Sequence, residues 1–280
     1  MDDPRLTPAR GDIAAKHLEG KVEAARFVDG ETFEVIETLA PMRDRPTGDA
    51  MLLTQALAGE RVTIYDRSDE GWAWGQLDGD GYVGWLPDAA LAPPSAVPTH
   101  KVTAIRTFAF PGPSIKLPPI DAPVMGAQLI VVREDGVFAV TPEGWYVPRR
   151  HLATLDHREK DFVAVAERFV DTPYLWGGKS GLGIDCSGLV QLALQAAGIA
   201  CPRDSDMQQH GLGHARDATE WTRLHRGDLI FWKGHVAIAR DAETIIHANA
   251  HHMATVIENT NDAVARIKSA GSEIATIKRL

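Results

Sequence analysis

The sequence has few of the features that mark several large classes of protein. It contains only two cysteines, Cys186 and Cys201, in 280 residues, which excludes a disulfide framework and a four-cysteine zinc site. No stretch approaches the roughly 20 apolar residues that a membrane-spanning helix needs. The net charge of −9 indicates no basic surface, so we predict neither nucleic acid nor a membrane as a partner.

The N-terminal segment lacks the apolar core of a secretory signal. MDDPRLTPARGDIAAKHLEGKVEAARF is polar, mixed in charge and begins with Met1. If this is the whole natural chain, we expect a cytoplasmic protein; a leader that has been removed would leave the same sequence. Residues 1–24 are predicted to form an N-terminal arm, with a short helix around residues 12–18.

Residues 25–93 contain short runs with β-rich composition, separated by turn signals such as PTGD and DGDG. The runs are FEVIETLAPMRD, ERVTIYDRS, GWAWGQL and GYVGWLP. Short strands at this spacing predict a small antiparallel barrel. The pieces GERVTIYDRSDEGWAWGQL and DGYVGWLP resemble bacterial SH3-like domains, and the resemblance implies a role in the ligand choice of a cell-wall enzyme.

A proline-rich linker, PPSAVPTH, leads to a second region that repeats this plan. GAQLIVVRE aligns with GERVTIYDR, and GWYVPRR aligns with GYVGWLP. The internal repeat predicts a second SH3-like barrel over residues 99–153.

The stretch TPYLWGGKSGLGIDCSGLVQLALQAAGI is a glycine-rich loop that runs directly into a helix. Asp185 is a good N-cap, so Cys186 should fall in the first helical turn. There a thiol meets unpaired backbone N–H groups and the positive end of the helix dipole, which favour the thiolate. A buried structural cysteine is the alternative, but the glycines before Cys186 indicate an open approach. We therefore predict that Cys186 is a nucleophile.

A thiolate nucleophile generally needs an imidazole base, which a third group holds in place. His235 begins the run HVAIA, and His247 lies in the next run, TIIHANA, so we expect them on neighbouring strands of a hairpin. Facing residues on adjacent strands lie about 5 Å apart, close enough for a ring-to-ring hydrogen bond. His247 would then fix the tautomer of His235 while His235 takes the proton of Cys186. A surface or core role is the alternative for either histidine alone.

The last part of the chain, residues 157–280, follows an α+β plan. LIFW, HVAIA, TIIHA and TVIEN indicate an antiparallel meander after the Cys186 helix. The predicted fold class is therefore α+β, with a helix bearing the cysteine packed on an antiparallel sheet, preceded by two small all-β barrels.

Four blocks of this last domain, in the same order, resemble the NlpC-type cell-wall peptidases, a papain-like cysteine peptidase family. They are FVDTPYLWGGKSGLGIDCSGLVQLAL, PRDSDMQ, RGDLIFWKGHVAIA and IIHANA. The resemblance implies that Cys186 is the nucleophile, His235 the base and His247 the third, orienting residue. It implies hydrolysis of the γ-D-glutamyl–diamino-acid amide bond in peptidoglycan peptides, through a thioester on Cys186. The backbone N–H of Cys186 is a natural oxyanion donor, and Tyr174 is a candidate for the second.

Two SH3-like domains before such a catalytic domain are similar to the arrangement in γ-D-glutamyl-L-diamino-acid endopeptidases. Those enzymes recycle murein peptides that have a free N-terminal L-Ala, and the first SH3-like domain closes one end of the site. The likeness implies these substrate contacts: Asp185, Ser187, Asp204, Ser205 and, from the first barrel, Tyr82. Asp204 could bind the α-ammonium group of the peptide, although a solvated loop carboxylate is the alternative. Trp176 fits either a pocket wall or a core.

Other patterns receive structural interpretations. HANAHHM offers His247, His251 and His252, but no acidic or thiol partner stands at ligand spacing, so we predict no metal and no cofactor. Cys201 is interpreted as a small buried hydrophobic residue. Two other functions stay open: a non-catalytic wall- or peptide-binding protein, and an amidase or acyltransferase acting on another small amide. The sequence leaves open whether the substrate carries diaminopimelate or lysine.

Overall fold

The computed structural model describes residues 3–94 and 96–280. Residues 1 and 2 of the predicted arm and Ser95 of the linker lie outside the described residues. The chain divides into two compact units, Met1–Leu155 and Asp156–Leu280. None of the helices in the described ranges has the length and apolar character needed to cross a membrane.

The first half of the first unit is an antiparallel β structure. Its strands are β1 (Ala14–Ala15), β2 (Phe27–Val28), β3 (Glu31–Val35), β4 (Leu39–Arg43), β5 (Leu52–Leu57), β6 (Arg61–Arg67), β7 (Trp72–Leu77), β8 (Val83–Pro87) and β9 (Leu91–Ala92). β3 to β9 form one sheet in the order β5-β4-β8-β7-β6-β3-β9. Buried residues alternate with half-exposed ones along β4 and β6, because one face of the sheet covers a core.

The N-terminal arm packs on this sheet, so the prediction of a helix around residues 12–18 is wrong. Ala14 and Ala15 form β1, which pairs in parallel with β2, and only a short 3₁₀ turn follows at Lys16–Leu18. Ile13 is fully buried in a cluster with Trp74 and Val83. Burial of Ile13 against Trp74 and Val83 therefore outweighs the weak helical tendency of the segment.

The second half of the first unit has shorter strands. They are β10 (His100–Val102), β11 (Gln128–Leu129), β12 (Arg133–Asp135), β13 (Phe138–Val140), β14 (Tyr146–Pro148) and β15 (Leu152–Thr154). They form two small antiparallel sheets, in the orders β11-β10-β15 and β12-β13-β14. Phe138 packs edge-on against Phe110 and Tyr146, which gives the second of these sheets an aromatic core.

The second unit combines helices with an antiparallel sheet. Its elements are α1 (Phe162–Glu167), β16 (Lys179–Ser180), β17 (Gly183–Ile184), α2 (Cys186–Ala196), α3 (Ser205–Gly211), β18 (His214–Arg216), β19 (Leu229–Trp232), β20 (His235–Ala239), β21 (Thr244–Asn249), β22 (Ala254–Asn259), α4 (Thr260–Ser269) and β23 (Thr276–Arg279). The large sheet has the order β18-β23-β19-β20-β21-β22, and its described pairs are antiparallel. α2 packs on β20 and β21, so the cysteine-bearing helix lies on the sheet as predicted.

Both faces of the central strands are covered, which explains their apolar sequences. α2 covers one face, and an apolar cluster that includes Trp232, Ala237, Ile245 and Ala263 of α4 occupies the other. Strands that are buried on both sides are expected to read as continuous apolar runs, as LIFW and HVAIA do. His235 is the first residue of the run HVAIA, and His247 lies within the following strand, β21.

Candidate active site

Cys186 is the first residue of α2, in the position that its sequence context predicts. Asp185 caps the helix, with its Oδ1 accepting a hydrogen bond of 2.7 Å from the backbone N–H of Gly188. The side chain of Cys186 is 7% exposed. A Cβ atom on Gly188 would lie 2.4 Å from the carbonyl oxygen of Gly178, so a glycine is needed for the first turn to approach the preceding loop so closely.

Asp185 has a structural role at the start of α2, and the substrate contact predicted for it stays a prediction. Its Oδ2 accepts hydrogen bonds from the N–H of Gly177 and from Arg203, and its Oδ1 accepts from Gly188, Arg203 and Ser187. Arg203 also donates to the hydroxyl of Ser187 at 3.0 Å. These groups engage both carboxylate oxygens and the Ser187 hydroxyl, so Asp185 and Ser187 organise the start of α2. The substrate contact predicted for Ser187 also stays a prediction.

Arg203 is a residue that the sequence reasoning missed. It is 1% exposed, forms a bidentate ion pair with Asp185 and donates to the carbonyl oxygen of Gly178 at 3.2 Å. Gln208 of α3 adds a 2.9 Å bond from its Nε2 to the carbonyl oxygen of Ser187. These bonds tie the start of α3 to the start of α2. The block PRDSDMQ contained the signal, because a buried arginine needs a carboxylate partner.

The same bonds bring Asp204 and Ser205 into the neighbourhood of α2. Asp204 is the N-cap residue of α3 but its side chain makes no capping hydrogen bond, and Ser205 begins the helix. Both residues are half-buried. Their position is compatible with contact to a ligand at Cys186, and their predicted roles stay predictions.

His235 and His247 form the ring-to-ring contact that the hairpin pattern predicts. The Nε2 of His235 and the Nδ1 of His247 are 2.9 Å apart, and the ring centroids are 5.1 Å apart. In the register of β20 and β21, Ile238 pairs with Ile246, so the two histidines are diagonal neighbours on one face of the sheet, not directly opposite. Diagonal neighbours are within reach for rings of this size.

Burial keeps the thiol and the imidazole of the site in their uncharged forms. Burial, with the charge of Asp185, raises the pKa of Cys186 to about 12, although the backbone N–H groups of Val236 and Ser187 act in the opposite direction. Burial, with His247, lowers the pKa of His235 to about 3. The expectation of a thiolate favoured by the helix terminus is therefore wrong for the unliganded site, because desolvation outweighs the helix N–H groups.

Tyr174 lies close to the nucleophile. Burial, followed by the charges of Cys186 and Asp185, raises the pKa of its phenol to about 12. Its backbone is fixed by a 2.9 Å hydrogen bond from the N–H to the carbonyl oxygen of Met253. The phenol therefore stays protonated over the usual pH range and can donate a hydrogen bond, as an oxyanion donor must.

The two other predicted aromatic contacts differ in environment. Trp176 is 61% exposed in the loop before α2, so the interpretation as a core residue is wrong. Tyr82 belongs to the first unit, precedes β8 and is 2% exposed. Its role at the site stays a prediction.

The three histidines of HANAHHM do not form a cluster of metal ligands. His252 bonds the Oδ1 of Asn249 through its backbone N–H at 2.9 Å and through its ring Nδ1 at 3.0 Å, and the His251 ring packs edge-on against it. In residues 3–94 and 96–280, no group of three or more histidine, cysteine, aspartate or glutamate residues is placed to hold a metal ion.

A second residue missed from the sequence lies behind His247. Oε1 of Glu258, in β22, is 3.7 Å from the Nε2 of His247 and accepts a 2.5 Å hydrogen bond from Arg266 of α4. The alternation of TVIEN carried the signal, because Val256 pairs with His247 and Glu258 is two residues further along the same face.

Comparison with known proteins agrees with the fold. Residues 171–269 match the model of the NlpC/P60 family, and residues 42–91 match the model of the bacterial dipeptidyl-peptidase SH3 domain. A crystal structure of an NlpC/P60 family protein from Bacillus cereus aligns with a TM-score of 0.74 over 89% of this chain and 99% of that one, at 23% identity. This likeness shows a common fold.

Curated relatives carry a peptidase name. Gamma-D-glutamyl-L-lysine dipeptidyl-peptidase from Bacillus cereus is 28% identical over 237 residues, which are 75% of this chain and 66% of that protein. The protein of the same name from Bacillus subtilis is 30% identical over 198 residues, 66% of this chain and 65% of that protein. The chain thus spans just under two thirds of the length of these relatives. It contains an NlpC/P60 domain, the domain of a cysteine peptidase family, preceded in sequence by a bacterial dipeptidyl-peptidase SH3 domain.

Proposed function

We propose that this protein is a cysteine peptidase that hydrolyses the γ-D-glutamyl–diamino-acid amide bond of small peptidoglycan-derived peptides with a free N-terminal L-Ala. One observation carries the proposal. A pair of hydrogen-bonded histidines, 2.9 Å apart, lies on the strands against which the helix of Cys186 packs. The substrate class is supported by the names of the relatives from two Bacillus species.

In the acylation step, the Sγ of Cys186 attacks the γ-carbonyl carbon of D-Glu while His235 accepts the thiol proton. Because both groups are uncharged before attack, proton transfer accompanies attack instead of preceding it. The oxyanion is bound by the backbone N–H of Cys186, which has no intrahelical acceptor in the first turn of α2, and by the phenol of Tyr174.

Collapse of the tetrahedral intermediate breaks the C–N bond, and protonated His235 gives its proton to the leaving amine of the diamino acid. The acyl half stays on Cys186 as a thioester. His235 then takes a proton from water while the water oxygen attacks the thioester carbonyl. The C–S bond breaks, L-Ala-γ-D-Glu leaves, and His235 returns its proton to the Sγ of Cys186.

Asp204 is our candidate for selection of the free N-terminus. It stands half-buried at the start of α3, which Gln208 and Arg203 hold against the start of α2. A carboxylate that meets an α-ammonium group makes a charge-assisted hydrogen bond, and an acylated amine cannot make it. Ser205 beside it is a second candidate contact.

We further propose that residues 99–153 form a second SH3-like domain and that the protein acts in the recycling of wall peptides in the cytoplasm. The two small antiparallel sheets of that region support the domain assignment. Both cysteines are free thiols, which suits a reducing compartment. Fractionation of cells, with the protein followed by an antibody, tests the location.

The proposal is tested by mass spectrometry of L-Ala-γ-D-Glu peptides that carry L-Lys or meso-diaminopimelate next, incubated with the purified chain. We expect release of L-Ala-γ-D-Glu, and no release with Cys186→Ala. N-acetylation of the L-Ala should remove most of the rate in the wild type, and it should have little effect on the residual activity of Asp204→Asn. The L-Lys and diaminopimelate peptides, compared at equal concentration, identify the preferred diamino acid.

Three results would contradict the proposed function or its mechanism. Undiminished cleavage by Cys186→Ala would rule out the thioester mechanism. Tight binding of the peptides without cleavage by the wild type would favour the non-catalytic binding protein. Transfer of the dipeptide to an added amine in preference to water would favour an acyltransferase.

A further inference from the structure

The proposed mechanism leaves one nitrogen of His247 without a role. His247 is 1% exposed, and its Nδ1 is engaged with the Nε2 of His235 at 2.9 Å. Its other nitrogen, Nε2, is buried and makes no hydrogen bond with any described residue. The Oε1 of Glu258 lies 3.7 Å away, beyond hydrogen-bond distance, and places a carboxylate beside this nitrogen. Glu258 is therefore the acceptor that lies nearest to an N–H group at this nitrogen.

Glu258 is held on the opposite side by a cation. The Nη2 of Arg266 in α4 donates to its Oε1 at 2.5 Å, and the Nε2 of His252 lies 3.6 Å from its Oε2. Burial alone would raise the pKa of Glu258, but His247 and Arg266 lower it to about 2. The side chain is consequently a carboxylate near neutral pH, and a carboxylate only accepts hydrogen bonds.

We propose that Glu258 is a positioning residue that sets the tautomers of both histidines, so that His235 presents an unprotonated nitrogen to Cys186. An acceptor facing the Nε2 of His247 favours the tautomer that carries its proton there. The Nδ1 of His247 is then a lone pair and must accept the hydrogen bond from His235. His235 therefore carries its proton on Nε2, and its Nδ1 is free to act as a base. This inference rests on the proposed function only in naming the reaction that the free nitrogen serves.

The opposite arrangement identifies what Glu258 prevents. If His235 carried its proton on Nδ1, His247 would have to donate from its own Nδ1 and would turn a lone pair towards the carboxylate of Glu258. The Nε2 lone pair of His247 and the carboxylate of Glu258, both acceptors, would then face each other in a buried place. The Nδ1 of His235 would carry a proton and could not act as the base. Replacing Glu258 by glutamine removes this selection, because an amide can donate as well as accept.

A merely structural role makes a different prediction. Glu258 also anchors α4 through Arg266, so any substitution could lower stability. Loss of the anchor alone would lower the melting temperature without changing the tautomers of either ring. The tautomers are therefore the readout that separates the two roles.

The test is long-range ¹H–¹⁵N NMR of the histidine rings in the full chain near pH 7, with signals assigned from His235→Asn and His247→Asn. In the wild type we expect both rings protonated on Nε2. In Glu258→Gln we expect a mixture of tautomers in both rings, and in Glu258→Asp, which keeps the carboxylate, partial or full return to the wild-type pattern. A wild-type His247 with its proton on Nδ1 would overturn the proposal, whether or not the variants fold.

Kinetics on the L-Ala-γ-D-Glu peptides provide the second readout. General acid–base catalysis supplies about 10²- to 10⁴-fold, so we expect Glu258→Gln to lower kcat by about 10²-fold with little change in KM. The matched control is Glu273→Gln, whose carboxylate pairs with Lys268 on the surface and should have no effect. Unchanged tautomers and kcat in Glu258→Gln would contradict the assignment. Expected tautomers in an enzyme that cleaves no peptide would contradict the proposed function and support the role of Glu258.

Discussion

At the scale of single residues, the site combines uncharged reacting groups with charged groups that hold them. Cys186 and His235 are neutral at rest because burial disfavours their ionised forms. The charges belong to Asp185, Arg203 and Glu258, which fix the helix start and the histidine pair. In the proposed mechanism, the thiol proton therefore moves to His235 as the sulfur attacks.

This arrangement predicts the pH dependence of thiol alkylation. With a pKa of about 12, the thiolate fraction of Cys186 should rise throughout the range from pH 6 to 10. We expect the rate of its reaction with iodoacetamide to increase about tenfold per pH unit, without a plateau, since only the thiolate reacts. Mass spectrometry of a Cys201→Ser variant isolates this one thiol. A rate that is already constant below pH 7 would reveal a preformed thiolate and contradict the prediction.

Residues that follow a repeated local pattern were predictable from the sequence, and those that depend on distant partners were not. Cys186 was predicted because an N-cap and a glycine-rich loop precede it. His235 and His247 were predicted because His235 begins one apolar run and His247 lies in the next, as on neighbouring strands of a hairpin. Arg203 and Glu258 lie in the local patterns PRDSDMQ and TVIEN, but these patterns do not identify the partners of either residue. Their roles depend on Asp185 and His247, which lie far from them in the sequence and near them in the fold.

At the scale of elements, hydrogen bonds fix the N-terminus of α2, and its first turn packs closely against the preceding loop. Asp185, Arg203 and Gln208 connect its first turn to the preceding loop and to α3. The local sequence pattern predicted the helix, its N-cap and the strands of the following sheet, because these depend on residues that are neighbours in the sequence. It did not predict β1 in place of a helix, because that strand exists only through pairing with β2 and burial of Ile13.

The close approach at Gly188 gives a prediction for this element. In Gly188→Ala the new methyl group would lie 2.4 Å from the carbonyl oxygen of Gly178, so the first turn of α2 must move. We expect a loss of stability of about 1–3 kcal/mol, in the range for overpacked sites, together with reduced kcat because Cys186 moves with the turn. Chemical denaturation and peptide hydrolysis measure the two effects.

Gly79→Ala is the matched control, since a Cβ atom there meets nothing within 4 Å. It should leave both stability and kcat within error of the wild type. Equal behaviour of the two variants would mean that α2 has room at its start, against the packing described above.

At the scale of the whole molecule, buried histidines make the fold sensitive to acid. The pKa of His235 is lowered to about 3 and that of His247 is also lowered, in both cases by burial first. Below the usual histidine pKa of about 6.5, the unfolded chain therefore binds protons that the folded chain does not bind. The contribution of the two histidines to the free energy of unfolding is therefore complete above this pH. It is lost as the pH falls towards their pKa values in the folded protein.

We therefore expect the free energy of unfolding to decrease steadily as the pH is lowered from about 6.5 to 4. Replacing both histidines by asparagine should flatten this dependence, even if the variant is less stable at pH 7. Urea denaturation at a series of pH values gives the slopes. An identical slope for wild type and variant would show that these histidines do not contribute to it.

The burial of the Cys186 thiol also affects how fast oxidants inactivate the protein. Peroxides convert thiolates to sulfenic acid much faster than thiols, so we expect slow oxidation of a Cys186 whose pKa is raised by burial. Cys201, the other cysteine, is buried as well. Neither thiol needs a disulfide bond to protect it from oxidation. Mild peroxide should therefore oxidise little of the enzyme in the absence of substrate.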